Sequence, residues 1–195
     1  MDEGYIKFNI NWIKDKPVDK QEIEEINKWR KKLYILGFIG MYDNGIGFGN
    51  ISIRYKNNFL ITGSATGGLP ELDENHYVVV TDYDLSKNSL TCKGPIKASS
   101  ESLSHAVVYE YSSDTQVVVH VHNLLLWQKL LDKVPTTNKN VTYGTPEMAD
   151  EIIRLFKETD VEQQKIICMA GHEEGIIIFG KNLDEAAENL LKFWK

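Results

Sequence analysis

Asn50-Ile51-Ser52-Ile53-Arg54-Tyr55 and Phe59-Leu60-Ile61-Thr62 both read as strands, and only a turn at Asn57-Asn58 separates them. A connection this short joins antiparallel neighbours, because a parallel pair needs a crossover of about a dozen residues or more. Tyr77-Val78-Val79-Val80-Thr81 and Ser89-Leu90-Thr91-Cys92 repeat the pattern around a turn at Asp84–Asn88. Gln116–Val121, Lys165–Met169 and Ile176–Phe179 are further strand runs. Helical spacing marks Val18–Ile39, where Ile23, Ile26, Arg30, Leu33 and Leu36 recur and Asp19 stands as a cap. Ser99–Tyr111, Asn123–Leu131, Pro146–Thr159 and Leu183–Trp194 are the other predicted helices. The fold class that follows is α/β, with a central mainly antiparallel or mixed sheet flanked by helix layers. A doubly wound parallel sheet is excluded.

Length and charge narrow the function classes. The 195 residues make one domain, spanning 1–195, with enough chain to bury a core without disulfides. Acidic residues outnumber basic ones 28 to 22, for a net charge of −6 with no basic run. That balance argues against nucleic acid and against an anionic membrane as partners. No apolar run approaches the roughly 20 residues of a spanning helix. The acidic start, Met1-Asp2-Glu3-Gly4-Tyr5, does not read as a secretory signal, so the expected location is cytoplasmic. Cys92 and Cys168 form no metal-type pair and read as buried apolar residues.

The histidines carry the chemistry. In Val117-Val118-Val119-His120-Val121-His122 the two rings stand two residues apart, so a strand points both to one face. Polar rings on an apolar face cost stability unless they are used. His172 stands at the end of another predicted strand, where it can supply a third nitrogen. Three nitrogen ligands with an open fourth position is the usual arrangement of catalytic zinc. A cupin barrel also uses a His-x-His strand, but the apolar helix that begins after His122 rules it out. Glu101 follows Ser99 and Ser100 at a helix start, where free N–H groups and hydroxyls can hold an anion. The small-residue loop Thr62–Gly68 offers more donors of that kind, helped at most by Arg54 or by Lys97, which itself reads as a solvated surface residue. His105 is expected behind Glu101, and His76 at the surface.

In order, Gly49-Asn50-Ile51-Ser52, Ile61-Thr62-Gly63-Ser64, Ser99-Ser100-Glu101 with His105, His120-Val121-His122, Gly144-Thr145-Pro146-Glu147 and Gly171-His172 resemble the class II aldolase/adducin family. The resemblance runs from about Lys20 to Leu191. It implies Zn2+, or another divalent metal, on His120, His122 and His172, with Glu101 as the acid/base group. It further implies that Asn50, Ser64, Ser99 and Ser100 bind the substrate's phosphate. The family's fold is a mainly antiparallel sheet between helix layers, and its enzymes are usually homotetramers.

The activity implied is that of a zinc-dependent, aldolase-type lyase of carbohydrate metabolism. It would cleave a small hydroxy-carbonyl compound or sugar phosphate through a metal-stabilised enediolate. An epimerase or dehydratase on the same site is the alternative, as is a non-catalytic, adducin-like assembly module. The chain departs from the aldolases in three places. Its loop reads Thr62-Gly63-Ser64-Ala65-Thr66-Gly67. Glu173 and Glu174 intervene between His172 and Gly175, which makes Glu174 a rival to His172 as third ligand. No tyrosine follows Tyr143, so the catalytic tyrosine that the aldolases draw from a C-terminal segment is expected to be missing, leaving Tyr143 as an auxiliary candidate.

Overall fold

The computed structural model describes residues 4–194. Met1–Glu3 and Lys195, the ends of the span expected for the domain, lie outside the described residues. A first strand, β1 (Asn9–Lys14), precedes the long helix α1 (Lys20–Ile35). A two-stranded ribbon, β2 (Gly40–Met41) and β3 (Gly47–Phe48), leads into the hairpin β4 (Asn50–Tyr55) and β5 (Asn58–Thr62). Next come β6 (Tyr77–Asp84), β7 (Ser89–Gly94), α2 (Ser102–Tyr111), β8 (Val117–His122) and α3 (Leu124–Leu130). The chain continues through α4 (Pro146–Glu158), α5 (Val161–Gln164), β9 (Ile166–Cys168), β10 (Gly175–Gly180) and α6 (Leu183–Trp194).

Eight strands form one sheet in the order β1-β7-β6-β5-β4-β8-β10-β9. Every neighbouring pair is antiparallel except β1 with β7, where Asn9–Lys14 runs parallel to Ser89–Gly94. One face packs against α1, α3 and α6, with Ile23, Ile26 and Leu33 meeting Val119, Ile178 and Leu190. The other packs against α2 and α4, with Leu103, Val107, Met148 and Ile152 over Val118, Ile177 and Phe179. The α/β class with helix layers on a mainly antiparallel sheet is therefore the observed one.

α1, α2 and β1 are among the elements that differ from the sequence reading. α1 stops at Ile35 rather than Ile39, because Gly37 takes a left-handed φ of +75° and turns the chain out of the helix. α2 begins at Ser102, and Ser99–Glu101 forms a turn before it, with the Ser102 amide donating to the Ser99 carbonyl at 3.1 Å. β1 had no counterpart in the sequence reading. Its side chains are half-exposed or exposed, and its partner lies some 80 residues away, so neither pattern nor a nearby turn announces it.

Candidate metal centre

β8 lies inside the sheet between β4 and β10, and every one of its residues is buried. Val117, Val119 and Val121 enter the core under α1 and α6, which leaves Val118, His120 and His122 facing α2 and α4. Asn50 and Ile177 sit opposite His120 in the register, and Gly175 sits opposite His122. His172 comes from the turn between β9 and β10. Its amide donates to the Met169 carbonyl at 3.0 Å, and its own carbonyl accepts from the Gly175 amide at 2.9 Å. A side chain at 175 would crowd His172, because a Cβ there would lie 2.9 Å from its backbone oxygen and 3.0 Å from Cγ of its ring.

These placements bring the ligand atoms of His120, His122 and His172 within 4.8 Å of one another. The two Nε2 atoms of His120 and His122 are 2.9 Å apart. The His172 ring centre lies 5.0 Å from that of His120 and 4.8 Å from that of His122. Burial holds the pKa of both strand histidines well below the ordinary histidine value, and the neighbouring rings push in the same direction. Neutral imidazoles converging through their nitrogens are a donor set that suits a divalent metal, so the residues present fit such an ion.

Glu101 is 1% exposed. One carboxylate oxygen, Oε2, accepts from Ser104 Oγ at 2.7 Å; the other, Oε1, lies 3.4 Å from His172 Nδ1. A buried carboxylate needs such partners, because unpaired charge away from water is costly. Ser99 and Ser100 are buried in the same turn, and Ser99 Oγ accepts from the Glu101 amide at 3.4 Å. The loop after β5 runs beside them: Gly63 bridges Ala98, and the half-buried Ser64 donates its amide to the Lys97 carbonyl at 2.9 Å. Asn50 is buried, and its Oδ1 has no hydrogen-bond partner among the described residues. Tyr143 stacks on His172 with ring centres 4.6 Å apart, and its hydroxyl accepts from the Tyr5 amide at 3.3 Å.

Other expectations fall differently. His105 is bonded through Nδ1 to Ser52 Oγ at 2.7 Å, in a buried group with Tyr109, and burial pushes its pKa down to about 3. Arg54 donates to the carbonyls of Thr115 and Tyr109, and the Lys97 ammonium lies 6.0 Å from the Trp12 ring. Glu174 is absent from the histidine cluster; its Oε2 accepts from the Tyr42 hydroxyl at 2.8 Å. That hydroxyl is also 2.8 Å from His122 Nδ1. Tyr42 escaped the sequence reading, since it lies in a glycine-rich turn with no local signal. Arg30 was visible only as one position of a helical stripe. Its buried guanidinium donates to the carbonyls of Thr66, Gly67, Leu69 and Pro70, which fixes the course of the loop.

Among solved structures, L-fuculose 1-phosphate aldolase aligns with a TM-score of 0.67 at 19% identity, over 91% of this chain and 84% of that one. YgbL from Klebsiella pneumoniae, whose described activity is left open among aldolase, epimerase and decarboxylase, aligns at 0.66 and 20% identity, over 90% and 86%. A sugar-phosphate aldolase from Thermotoga maritima aligns at 0.65 and 18% identity, over 89% and 90%. These are likenesses of fold. No match was found among curated proteins. A family model described as Class II Aldolase and Adducin N-terminal domain matches residues 40–193, the stretch that holds the three histidines and Glu101. The chain belongs to the class II aldolase and adducin family.

Proposed function

We propose that this protein is a metal-dependent lyase of the aldolase type, acting on a small hydroxy-carbonyl compound with an anionic end such as a sugar phosphate. The observation that carries the reading is the Glu101 carboxylate, buried and 3.4 Å from a member of the three-histidine cluster. His120, His122 and His172 would hold the ion, with zinc as the expected metal. A divalent ion there supplies Lewis acidity, polarising a carbonyl and balancing negative charge.

The chain's own residues do the rest. Ser104 anchors one oxygen of Glu101, so the other is directed at the cluster, where it can take a proton from, or return one to, the carbon beside the carbonyl. Ser99, Ser100 and the loop bearing Ser64 bind the anionic end through hydroxyls and backbone N–H groups, since the chain as a whole is acidic. The Asn50 amide, buried beside His120, supplies a polar contact for a substrate oxygen. Tyr143 walls the His172 side and serves as the auxiliary residue. A homo-oligomer, with a tetramer favoured, is the assembly in which we expect this site to work. A scaffold without catalysis has no use for a carboxylate buried beside three imidazoles.

The test is an assay of purified protein against a panel of ketose phosphates and free ketoses, with and without a chelator. Chelator-sensitive aldehyde release is the expected result. Epimer formation or dehydration in its place would move the activity to that chemistry on the same residues. Inertness of metal-loaded protein towards the whole panel would count against an enzyme.

A further inference from the structure

His122 has two ring nitrogens with different surroundings. Nε2 faces Nε2 of His120 at 2.9 Å, while Nδ1 is 2.8 Å from the Tyr42 hydroxyl. That hydroxyl donates to Glu174 Oε2 at 2.8 Å. A phenol has one proton, and a carboxylate oxygen can only accept. With the phenol proton given to Glu174, the Tyr42 oxygen must accept from the ring. The proton of the neutral imidazole is then on Nδ1, and the lone pair is on Nε2, inside the cluster.

We propose that Tyr42 and Glu174 are positioning residues that fix the tautomer and ring orientation of His122, so that Nε2 is always presented as an electron-pair donor to a metal ion. This rests on the reading of the three histidines as a metal site. The three partners come from distant parts of the chain: Tyr42 just after β2, His122 at the end of β8, and Glu174 just before β10. The Phe48 ring lies against both Tyr42 (4.6 Å between centres) and His122 (5.4 Å), so the phenol is held in place by packing as well. Glu174 adopts a left-handed φ of +68°, which side chains seldom take. Its backbone is tied there by its carbonyl, which accepts from the Asn123 amide next to His122 at 3.1 Å. A hydrogen-bonded partner on the distal nitrogen of a metal-binding histidine both orients the ring and raises its basicity.

The experiment uses metal-free protein labelled with 15N-histidine. Two-bond proton–nitrogen correlation spectra identify the tautomer of each ring, with His122 assigned by loss of its signals in His122→Gln. The expected result is a single Nδ1–H form for His122 in the wild type. Tyr42→Phe should introduce the Nε2–H form. Glu174→Ala should do so more completely, because the freed phenol can then donate to Nδ1. In zinc or cobalt titrations, both variants should bind roughly 10- to 100-fold more weakly, with circular dichroism and thermal midpoint of the metal-free protein unchanged. An Nε2–H His122 in the wild type would overturn the proposal, as would a Tyr42→Phe variant with unaltered tautomer or unaltered metal affinity. Failure of the wild type to bind metal would instead remove the metal reading of the cluster, while the tautomer spectra still judge the Tyr42–Glu174 assignment on their own.

Discussion

Replacing Glu101 by Gln keeps the size of the side chain and leaves an acceptor for Ser104, but it removes the group that can carry a proton. Turnover should fall about 100- to 10,000-fold while bound metal, measured by elemental analysis, stays at the wild-type level. Retained turnover would assign proton transfer elsewhere. His122→Ala has the opposite signature: metal stoichiometry should collapse while circular dichroism is preserved, because the valines of β8, rather than its histidines, fill the core under α1 and α6. Unfolding of that variant would make His122 a structural residue. Much of this scale was readable in advance. Two histidines spaced two apart in an apolar strand, and a glutamate after paired serines, announce themselves through local pattern. Tyr42 does not, and Glu174 was visible only as a rival third ligand, because their contact with each other spans 132 residues and depends on how the ribbon and the last turn fold back over β8.

Strands were legible where β-branched and aromatic runs stand between turn residues, as in the hairpin of β4 and β5, although helices on both sides leave those strands buried in consecutive runs rather than at every second residue. Helices were legible where apolar residues recur at helical spacing, as in α1. The ends were less so. Nothing in Ser99-Ser100-Glu101 states that the helix waits until Ser102, although the delay is what leaves Glu101 in the turn, with a carboxylate oxygen near His172. The loop after β5 illustrates the same limit. Its small residues marked a loop, but its course is set by Arg30 from α1, whose guanidinium gathers four carbonyls. Arg30→Met preserves much of the apolar stem and leaves those carbonyls without their donor. A loss of stability on the order of 3 kcal/mol is expected in urea denaturation, together with weaker binding of an anionic substrate. An unchanged denaturation midpoint would mean that the loop holds its course without the cation.

For the molecule as a whole, buried imidazoles make stability depend on pH. His105, His120 and His122 all lie below the ordinary histidine value of 6.5, His105 at about 3. Unfolded, each takes up a proton near pH 6.5; folded, each stays neutral until much lower pH. The unfolded chain therefore binds more protons below that value, and stability falls as the pH falls. Each such group contributes a slope of about 1.4 kcal/mol per pH unit, which for His105 persists down to about pH 3. Denaturant midpoints of the metal-free protein should be level above about pH 7 and decline steadily below 6.5. A flat profile down to about pH 5 would show that the rings are not buried in neutral form. No helix among the described residues is long and apolar enough to cross a membrane. The antiparallel sheet was legible because short turns dictate it. The parallel edge strand was not, because pairing across so long a separation leaves no trace in local composition.

β8 divides its side chains by parity. Its odd-numbered valines enter one helix layer's interior, and its even-numbered histidines face the other way, into the three-histidine cluster. Sliding that strand by a single position would exchange the two sets at a stroke, dropping imidazoles into oil and aliphatic groups into the ligand cluster. Folding correctly and bringing the three imidazoles together are thus one and the same alignment. A one-residue insertion upstream within β8 cannot spare either.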